Sequence, residues 1–482
     1  MFSIGKVAEK YDGLSIQLKA TLWFTISGFL QRGISIISTP IFTRIMSTSE
    51  YGQFSVYTAW SGILIIPATL YLYNGVINNC FIKIEKNRDY TVAALQGLST
   101  VSSLLFLFFV LVLQSILFPA IGLTKPVIIA MLISFIFEPC IYYWSISERF
   151  DYKYKMPVIV NMLSAILHVL VCVAAVVISD NKGEARILSY VFVTVCIGVF
   201  FWLRNIINGK CFFDKDIWLF ALAFNIPLIP HFLSEVVLNQ SDKIMINIFD
   251  STSNAGIYSI SYSIASLVLI FITALNASLV PWQYKSLKAR DYDKMNKVSI
   301  SVLLIVSGVL FLLMLFAPEA IMLLAGEKYR DSISLVPPLA VGMFFNFLQQ
   351  LFVRVELYYE KKSYTVFASM ASAVINVILN FIFIRIFGYQ AVAYTTAFCF
   401  ILVCVFHYVC YLKVCEQYAM IHRIYSPKAL LGCSVIMCLI GGISLVLYKS
   451  VILRFSVACI LVIACLLNRH SILNCVNKFI DK

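Results

Sequence analysis

The sequence predicts an all-α polytopic membrane protein of about 14 transmembrane helices, with two six-helix lobes around a central cavity and an added C-terminal helix pair. Three observations predict it: a composition far too apolar for a soluble domain, successive runs long enough to cross a bilayer, and a short pattern that returns 204 residues later. Of 482 residues, 61% are hydrophobic and 13% charged; soluble domains carry about 45–50% and about 25%. Soluble enzymes, disordered scaffolds and coiled coils are thereby excluded.

The apolar runs lie at 21–42, 53–77, 92–118, 126–147, 157–179, 186–203, 217–240, 255–282, 298–318, 333–355, 364–384, 390–412, 429–448 and 452–468. At about 20 residues per crossing, fourteen crossings use about 280 residues, and about 200 remain for termini and connections. No room is left for a separate soluble domain. The stretch Met1–Lys19 is polar and Arg32 stands in the middle of the first run, so that run reads as an uncleaved first crossing rather than a signal peptide. The last run is short and weak, which leaves thirteen crossings as the alternative.

The formal net charge is +13. With alternating connections, the side that holds both termini carries 25 Lys and Arg and the opposite side 10, while Arg32 and Arg354 fall within runs. Lys and Arg accumulate on the cytoplasmic side of membrane proteins, so both termini are predicted to be cytoplasmic. Topology accounts for the basic balance, and no nucleic-acid partner is implied. The 14 cysteines show no CxxC and no Cys/His cluster of metal spacing, so no disulfide, metal or cofactor is expected.

Ser47-Thr48-Ser49, Gly52 and Ser55 recur as Ser251-Thr252-Ser253, Gly256 and Ser259, and a weaker echo at an offset of 208 relates Glu148 and Lys153 to Glu356 and Lys361. The first pair of segments follows the first and the seventh runs. Two six-crossing halves of one orientation are expected: an N-terminal lobe over 1–210, a C-terminal lobe over 211–415, and an additional helix pair over 416–482. Parallel halves of this kind place a substrate path between them and work by alternating access, which implies a transporter rather than an enzyme.

Charged groups within the membrane are costly, about 2.5–3.5 kcal/mol on insertion scales, and mark functional sites. In the first run Gly28, Gln31, Arg32, Ser35, Ser38 and Thr39 share roughly a 120° arc. Arg32 is the permanent charge of that stripe, either an interhelical anchor or a contact for an anionic substrate group. The seventh run carries His231, Ser234, Glu235 and Asp242 on roughly a 100° arc, and the repeat sets Glu235 level with Gln31. The two stripes are expected to face each other, with Pro227 and Pro230 bending the second helix. Candidate substrate-binding residues are Arg32, Gln31, Ser35, Glu235, His231 and Arg354. Candidate ion-coupling residues are Glu138, Glu235 and Asp242. Arg354 and Glu356 also read as an interfacial pair, Asp242 and Lys243 as another, and Asn161, Asn376 and Asn380 as interhelical hydrogen-bonding groups. A Walker A pattern is absent from the sequence, and no glycosyltransferase constellation is read in it, so no catalytic residue is proposed.

Thr43-Arg44 through Glu50-Tyr51-Gly52, Ser241-Asp242-Lys243 with Gly256-Ile257-Tyr258-Ser259, and Asn376 through Phe387-Gly388 with Ala391–Thr396 resemble the polysaccharide transporter family. Its best-known members are O-antigen flippases of the multidrug, oligosaccharidyl-lipid and polysaccharide exporter superfamily. Where that family has Gly-Ala-Ala, this chain has Gln390-Ala391-Val392-Ala393. The resemblance implies a bacterial inner-membrane flippase for undecaprenyl-pyrophosphate-linked oligosaccharide repeat units, coupled to H+ or Na+. It also implies contact with membrane lipids and association with polymerase and chain-length machinery. The alternatives are a multidrug or cation antiporter of the same superfamily, or a membrane-embedded polysaccharide polymerase or acyltransferase.

Overall fold

Every described element is helical. Nineteen α-helices, two 3-10 segments and one π-helical turn follow one another, with no strand among the described residues. The structure, a computed structural model, describes residues 15–419 and 421–467. Lys6, Lys10, Arg469, Lys478 and Lys482, which enter the charge count at the termini, lie outside the described residues, as does most of the polar stretch before the first run.

The helices are α1 (Ile16–Ile45), α2 (Thr48–Thr69), α3 (Ile77–Lys83), α4 (Arg88–Val112), α5 (Gln114–Ile121), α6 (Lys125–Phe150), α7 (Lys155–Ile178), α8 (Lys182–Gly209), α9 (Lys215–Asn225) and α10 (Ile229–Phe249). They continue with α11 (Thr252–Ala265), α12 (Val268–Ala289), α13 (Tyr292–Leu315), α14 (Ala317–Leu324), α15 (Val336–Tyr358), α16 (Lys362–Phe387), α17 (Ala391–Val414), α18 (Pro427–Leu447) and α19 (Val451–Leu467).

Eleven spans among the described residues are long and apolar enough to cross a membrane, so the structure does not establish a count of fourteen. The first two runs and the last fall short. Helix α1 is long, but Lys19, Gln31, Arg32 and Arg44 dilute it; α2 opens with Thr-Ser-Glu-Tyr-Gly-Gln; the described part of α19 is 17 residues.

The chain forms two compact units, Met1–Gln240 and Ser241–Lys482, divided within α10. The sequence repeat returns in each as the same helix-ending chemistry. Ser47 caps α2 by accepting from the Glu50 N–H, with Glu50 reaching back to the Ser47 N–H; 204 residues later, Ser251 caps α11 by accepting from Asn254. Asn87 caps α4 and Asp291 caps α13. Such caps satisfy orphan N–H groups and stabilise a helix start by about 1 kcal/mol. Gly122 and Gly326, which follow α5 and α14, both have positive φ.

The ends of α6 and α15 match still more closely, at the offset of 208. Tyr152 and Glu360 adopt left-handed φ values of 57° and 62°. The Lys153 N–H donates to the Glu148 carbonyl and the Lys361 N–H to the Glu356 carbonyl, while Tyr152 bonds Arg149 and Glu360 bonds Leu357. Both are Schellman terminations. The weak echo of Glu148 and Lys153 in Glu356 and Lys361 therefore records one turn built twice.

The expected bend of the seventh run is a 3-10 break, Ile226–Leu228, that separates α9 from α10 and holds Pro227. Pro139 lies inside α6 and cannot supply the N–H that would bond the Phe135 carbonyl. The Ser103 hydroxyl of α4 donates to that carbonyl instead, at 3.2 Å. Backbone polar groups need such partners where water is absent.

Candidate functional site

In the N-terminal unit, four packed helices (α1, α6, α7 and α8) surround a cavity of about 350 Å³. Along α6 its wall runs through Glu138, Ile141, Tyr142, Ser145 and Arg149, a helical stripe about 16 Å long at 1.5 Å per residue. Gly198 of α8 makes this wall compact. A Cβ there would lie 2.5 Å from the Phe137 carbonyl oxygen, so only glycine lets α8 approach α6 beside Glu138.

The cavity has a cationic end and an acidic interior. Arg149 places its guanidinium 4.4 Å from the centre of the Phe24 ring, a cation–π contact, and forms no ion pair among the described residues. Its neighbours at this end of the unit are neutralised: Arg204 pairs with Glu148 at 3.7 Å, Lys86 with Asp214 at 2.5 Å, and Arg88 with Asp151. About three turns deeper along α6, Glu138 also lacks a hydrogen bond or ion pair among the described residues. Opposite, α7 presents Asn161, Ser164 and His168. The His168 Nδ1–H donates to the Ser164 carbonyl at 2.7 Å and Nε2 meets the Thr194 hydroxyl at 3.0 Å.

Of the residues expected from sequence, Gln31 and Glu138 share this cavity, together with Gly28 and Asn161. Arg32 and Ser35 are exposed on α1 and are not among the lining residues. One residue turns an α-helix by about 100°, which carries the Arg32 position off the face formed by Phe24, Ser27, Gly28 and Gln31. Glu235 is exposed and His231 half-buried on α10, with the His231 Nδ1 buried and unbonded. An aromatic ladder leads from their helix to the cavity: Phe232 to Tyr71 at 5.2 Å, Tyr71 to Tyr73 at 5.0 Å, and Tyr73 to Tyr142 at 5.1 Å. Arg149, His168, Tyr142, Ser145 and Thr194 were missed by sequence reasoning. The spacing of Asn161, Ser164 and His168, polar at i, i+3 and i+7, was the available signal.

The C-terminal unit treats its polar residues differently. Asp242 is buried, and its carboxylate accepts from Tyr258, from Asn380 Nδ2 at 2.7 Å and from the Thr396 hydroxyl at 2.7 Å. Asn376 accepts from Ser241 at 3.1 Å and from Asn380 at 3.2 Å, so both asparagines act as interhelical hydrogen-bonding groups. Arg354 and Glu356 do not pair with each other. Arg354 donates to Gln283 at 2.7 Å, Asn276 at 2.5 Å and Gln350 at 3.3 Å, while Glu356 meets His407. The two residues on α15 lie two apart and point to different partners, since i and i+2 do not share a helix face. No group of three or more metal-ligating side chains occurs among the described residues.

The fold has known counterparts. The chain aligns with the lipid II flippase MurJ in an inward closed conformation at a TM-score of 0.57 and 12% identity, over 90% of this chain and 100% of that one. It aligns equally well, at 0.57 and 12%, with an inward-facing multidrug resistance MATE family transporter of the MOP superfamily, over 83% of this chain and 99% of that one. Protein 1 of the Lsg locus of Haemophilus influenzae is 29% identical over 116 residues, 23% of this chain and 29% of that protein. An uncharacterized membrane protein of the same organism is 28% identical over 146 residues, 28% of this chain and 35% of that protein. The matched stretch is thus well under two thirds of either relative's length. A MatE family profile matches residues 227–382. The polysaccharide biosynthesis protein profile matches residues 17–287, more than half of the sequence: with eleven helices long and apolar enough to cross a membrane and a MurJ- and MATE-like fold, the chain is a multi-pass membrane protein of the polysaccharide biosynthesis protein family.

Proposed function

We propose that the protein is a flippase that moves undecaprenyl-pyrophosphate-linked oligosaccharide repeat units, of O-antigen or a related surface polysaccharide, across the bacterial inner membrane by alternating access. The supporting observation is the polar cavity held among membrane-spanning helices of a polysaccharide biosynthesis family member. Its size is at the lower end of small-molecule pockets, enough for part of an oligosaccharide while the polyprenyl chain stays in lipid. Gln31, Asn161 and His168 offer hydrogen bonds to hydroxyls. A pyrophosphate is held best by guanidinium groups, which bind it with charge-assisted, often bidentate bonds. Arg149 at the cavity, Arg32 on α1 and Arg354 in the C-terminal unit are the arginines proposed to meet it at successive stages, with Ser35, His231 and Glu235 as further contacts.

Coupling to H+ or Na+ is assigned to Glu138, Glu235 and Asp242. Asp242 presents one formal charge among neutral oxygen and amide groups, a setting that suits a monovalent rather than a divalent ion. Both termini are placed in the cytoplasm, and contact with polymerase and chain-length proteins belongs to the same proposal. The lobes are taken as 1–210 and 211–415, with 416–482 as an added helix pair.

A strain lacking the gene is expected to accumulate lipid-linked repeat units in the cytoplasmic leaflet, and the gene restored in trans is expected to clear them. Arg32→Ala should insert normally and fail to restore export; full surface polysaccharide in that variant would remove Arg32 from the mechanism. The multidrug or cation antiporter is the second reading, favoured by the MatE match over residues 227–382. Drug resistance on overexpression, with unchanged surface polysaccharide in the deletion strain, would establish it instead.

A further inference from the structure

The repeated turn at the ends of α6 and α15 carries a repeated clasp. Glu148 and Glu356 each stand two residues before the end of their helix. Each reaches a basic side chain on the sixth long helix of its half: Glu148 meets Arg204 of α8, and Glu356 meets His407 of α17. The clasps differ in two ways. The first is 3.7 Å long with side chains 20% and 36% exposed, and an arginine keeps its charge throughout the physiological range. The second is sealed, at 0% and 3% exposure, and its basic partner is a histidine.

The second clasp has a defined proton geometry. His407 Nδ1 lies 3.0 Å from both carboxylate oxygens of Glu356, so one proton lies between the ring and the carboxyl group. His407 Nε2 has no hydrogen bond among the described residues, which leaves it as the ring position for a second proton. With Nε2 bare, the clasp holds a net charge of −1 inside a membrane-embedded unit, a costly state. One further proton on Nε2 makes it a neutral ion pair without moving a heavy atom. We propose that Glu356 and His407 form a proton-binding site that fastens α15 to α17 when protonated and loosens them when the proton leaves.

The charged and titratable groups around the site fit this assignment. Arg354 lies two residues before Glu356 on α15, on a different face, held by amide oxygens. Cys410 and Lys413 follow on α17, Lys362 opens α16, Lys428 opens α18, and Cys415 and Glu416 lie in the π-helical turn after α17. None of these forms an ion pair with Glu356 or His407 among the described residues. Use of this proton in transport rests on the flippase reading above; its binding does not.

The test uses the full-length protein in nanodiscs. Thermal unfolding is followed between about pH 5.5 and pH 8, alongside 15N-histidine spectra assigned by comparison with His407→Gln. The wild type should lose about 1 °C in melting temperature as pH rises, roughly 1 kcal/mol for a chain of this size. The His407 nitrogens should move from a doubly to a singly protonated pattern over the same interval. His407→Arg, which copies the permanent charge of Arg204, should remove that slope. Glu356→Gln is the second variant, should the arginine not fit, and is expected to flatten it as well. A wild-type slope retained in either variant, or a His407 signal unchanged across the interval, overturns the proposal whatever the protein transports. If instead the deletion strain accumulates no lipid-linked intermediate, the transport reading falls and the slope still reports the site.

Discussion

The two compact units spend their polar residues in opposite ways. In the N-terminal unit Glu138, Arg149 and Gln31 face a common space, and Glu138 and Arg149 have no charged partner among the described residues. In the C-terminal unit the corresponding investment is closed on itself: Asp242 takes three donors, Arg354 takes three amide oxygens and Glu356 takes His407. Related helix order and matching caps thus support one unit whose polar groups line a cavity and one whose polar groups hold helices together. Burial makes the difference consequential, because a satisfied buried group stabilises and an orphaned one costs about 1–3 kcal/mol.

The largest effect should come from opening the closed unit. Asp242→Ala leaves the Tyr258 and Thr396 hydroxyls and the Asn380 amide without their acceptor. Removing one member of a buried charged cluster typically costs about 3–5 kcal/mol. Unfolding of the purified protein in detergent should show that loss, and Asp242→Asn, which keeps the shape and one acceptor oxygen, should show roughly half of it. A loss below about 1 kcal/mol for the alanine variant would mean that the cluster does not hold α10 to α16 and α17, and the contrast between the units would fail.

A smaller, pH-dependent effect sits at the end of the N-terminal unit, outside its spans. Asp214 caps α9 by accepting from the Asp216 and Ile217 N–H groups at 3.1 and 3.0 Å, and its other oxygen accepts from Lys86 and Tyr90. The Ile217 N–H, followed by the Lys86 ammonium, holds its pKa down to about 2. A depressed folded-state value means that the stabilisation is fully present above the unfolded carboxyl pKa, about 3.9. It is lost as pH falls from there through about 2. Asp214→Ala should cost about 1 kcal/mol near neutral pH, the usual value of a cap, and should flatten the acid limb of the stability curve. An unchanged acid limb would show that the carboxylate at this helix start is not what responds to acid.

The fold was legible because its signals are local. Apolar runs, N-caps such as Ser47 and Ser251, and the Glu148 and Glu356 turns are short stretches whose chemistry does not depend on distant residues. The candidate site was legible only in part. Glu138 and Gln31 were found because charge and amide groups inside an apolar run are costly wherever they point. Arg149 was counted as a connection charge, since nothing in its own neighbourhood reveals that Phe24, 125 residues earlier, supplies a ring beneath it. Arg32 was placed on the polar stripe of α1, but the face that lines the cavity is centred on Ser27 and Gln31, and a helical wheel does not say which part of a broad polar arc meets a neighbour. The pairing of Arg354 with Glu356 failed for a related reason: proximity in sequence is not proximity of side chains at i and i+2.

The smallest effect on stability should be at Glu138, which is proposed to bind the coupling ion. Glu138 lines the cavity without a hydrogen bond or ion pair among the described residues, so Glu138→Gln removes a charge and orphans nothing. Stability should stay within about 0.5 kcal/mol of the wild type, as for substitutions that break no network, and a slight gain is the direction expected when a carboxylate without a partner is neutralised. Export of lipid-linked repeat units should nevertheless fall at least tenfold, about 1.4 kcal/mol if read as a barrier. The pairing of the two measurements is what sharpens the comparison. A residue aimed at an occupant loses function without stability, whereas Asp242→Ala loses stability first. Should Glu138→Gln unfold as readily as Asp242→Ala, Glu138 has a structural partner and the N-terminal cavity is packing space; should it transport normally, the carboxylate is not the ion-binding group of this unit and His168, across the same cavity, becomes the group to substitute next.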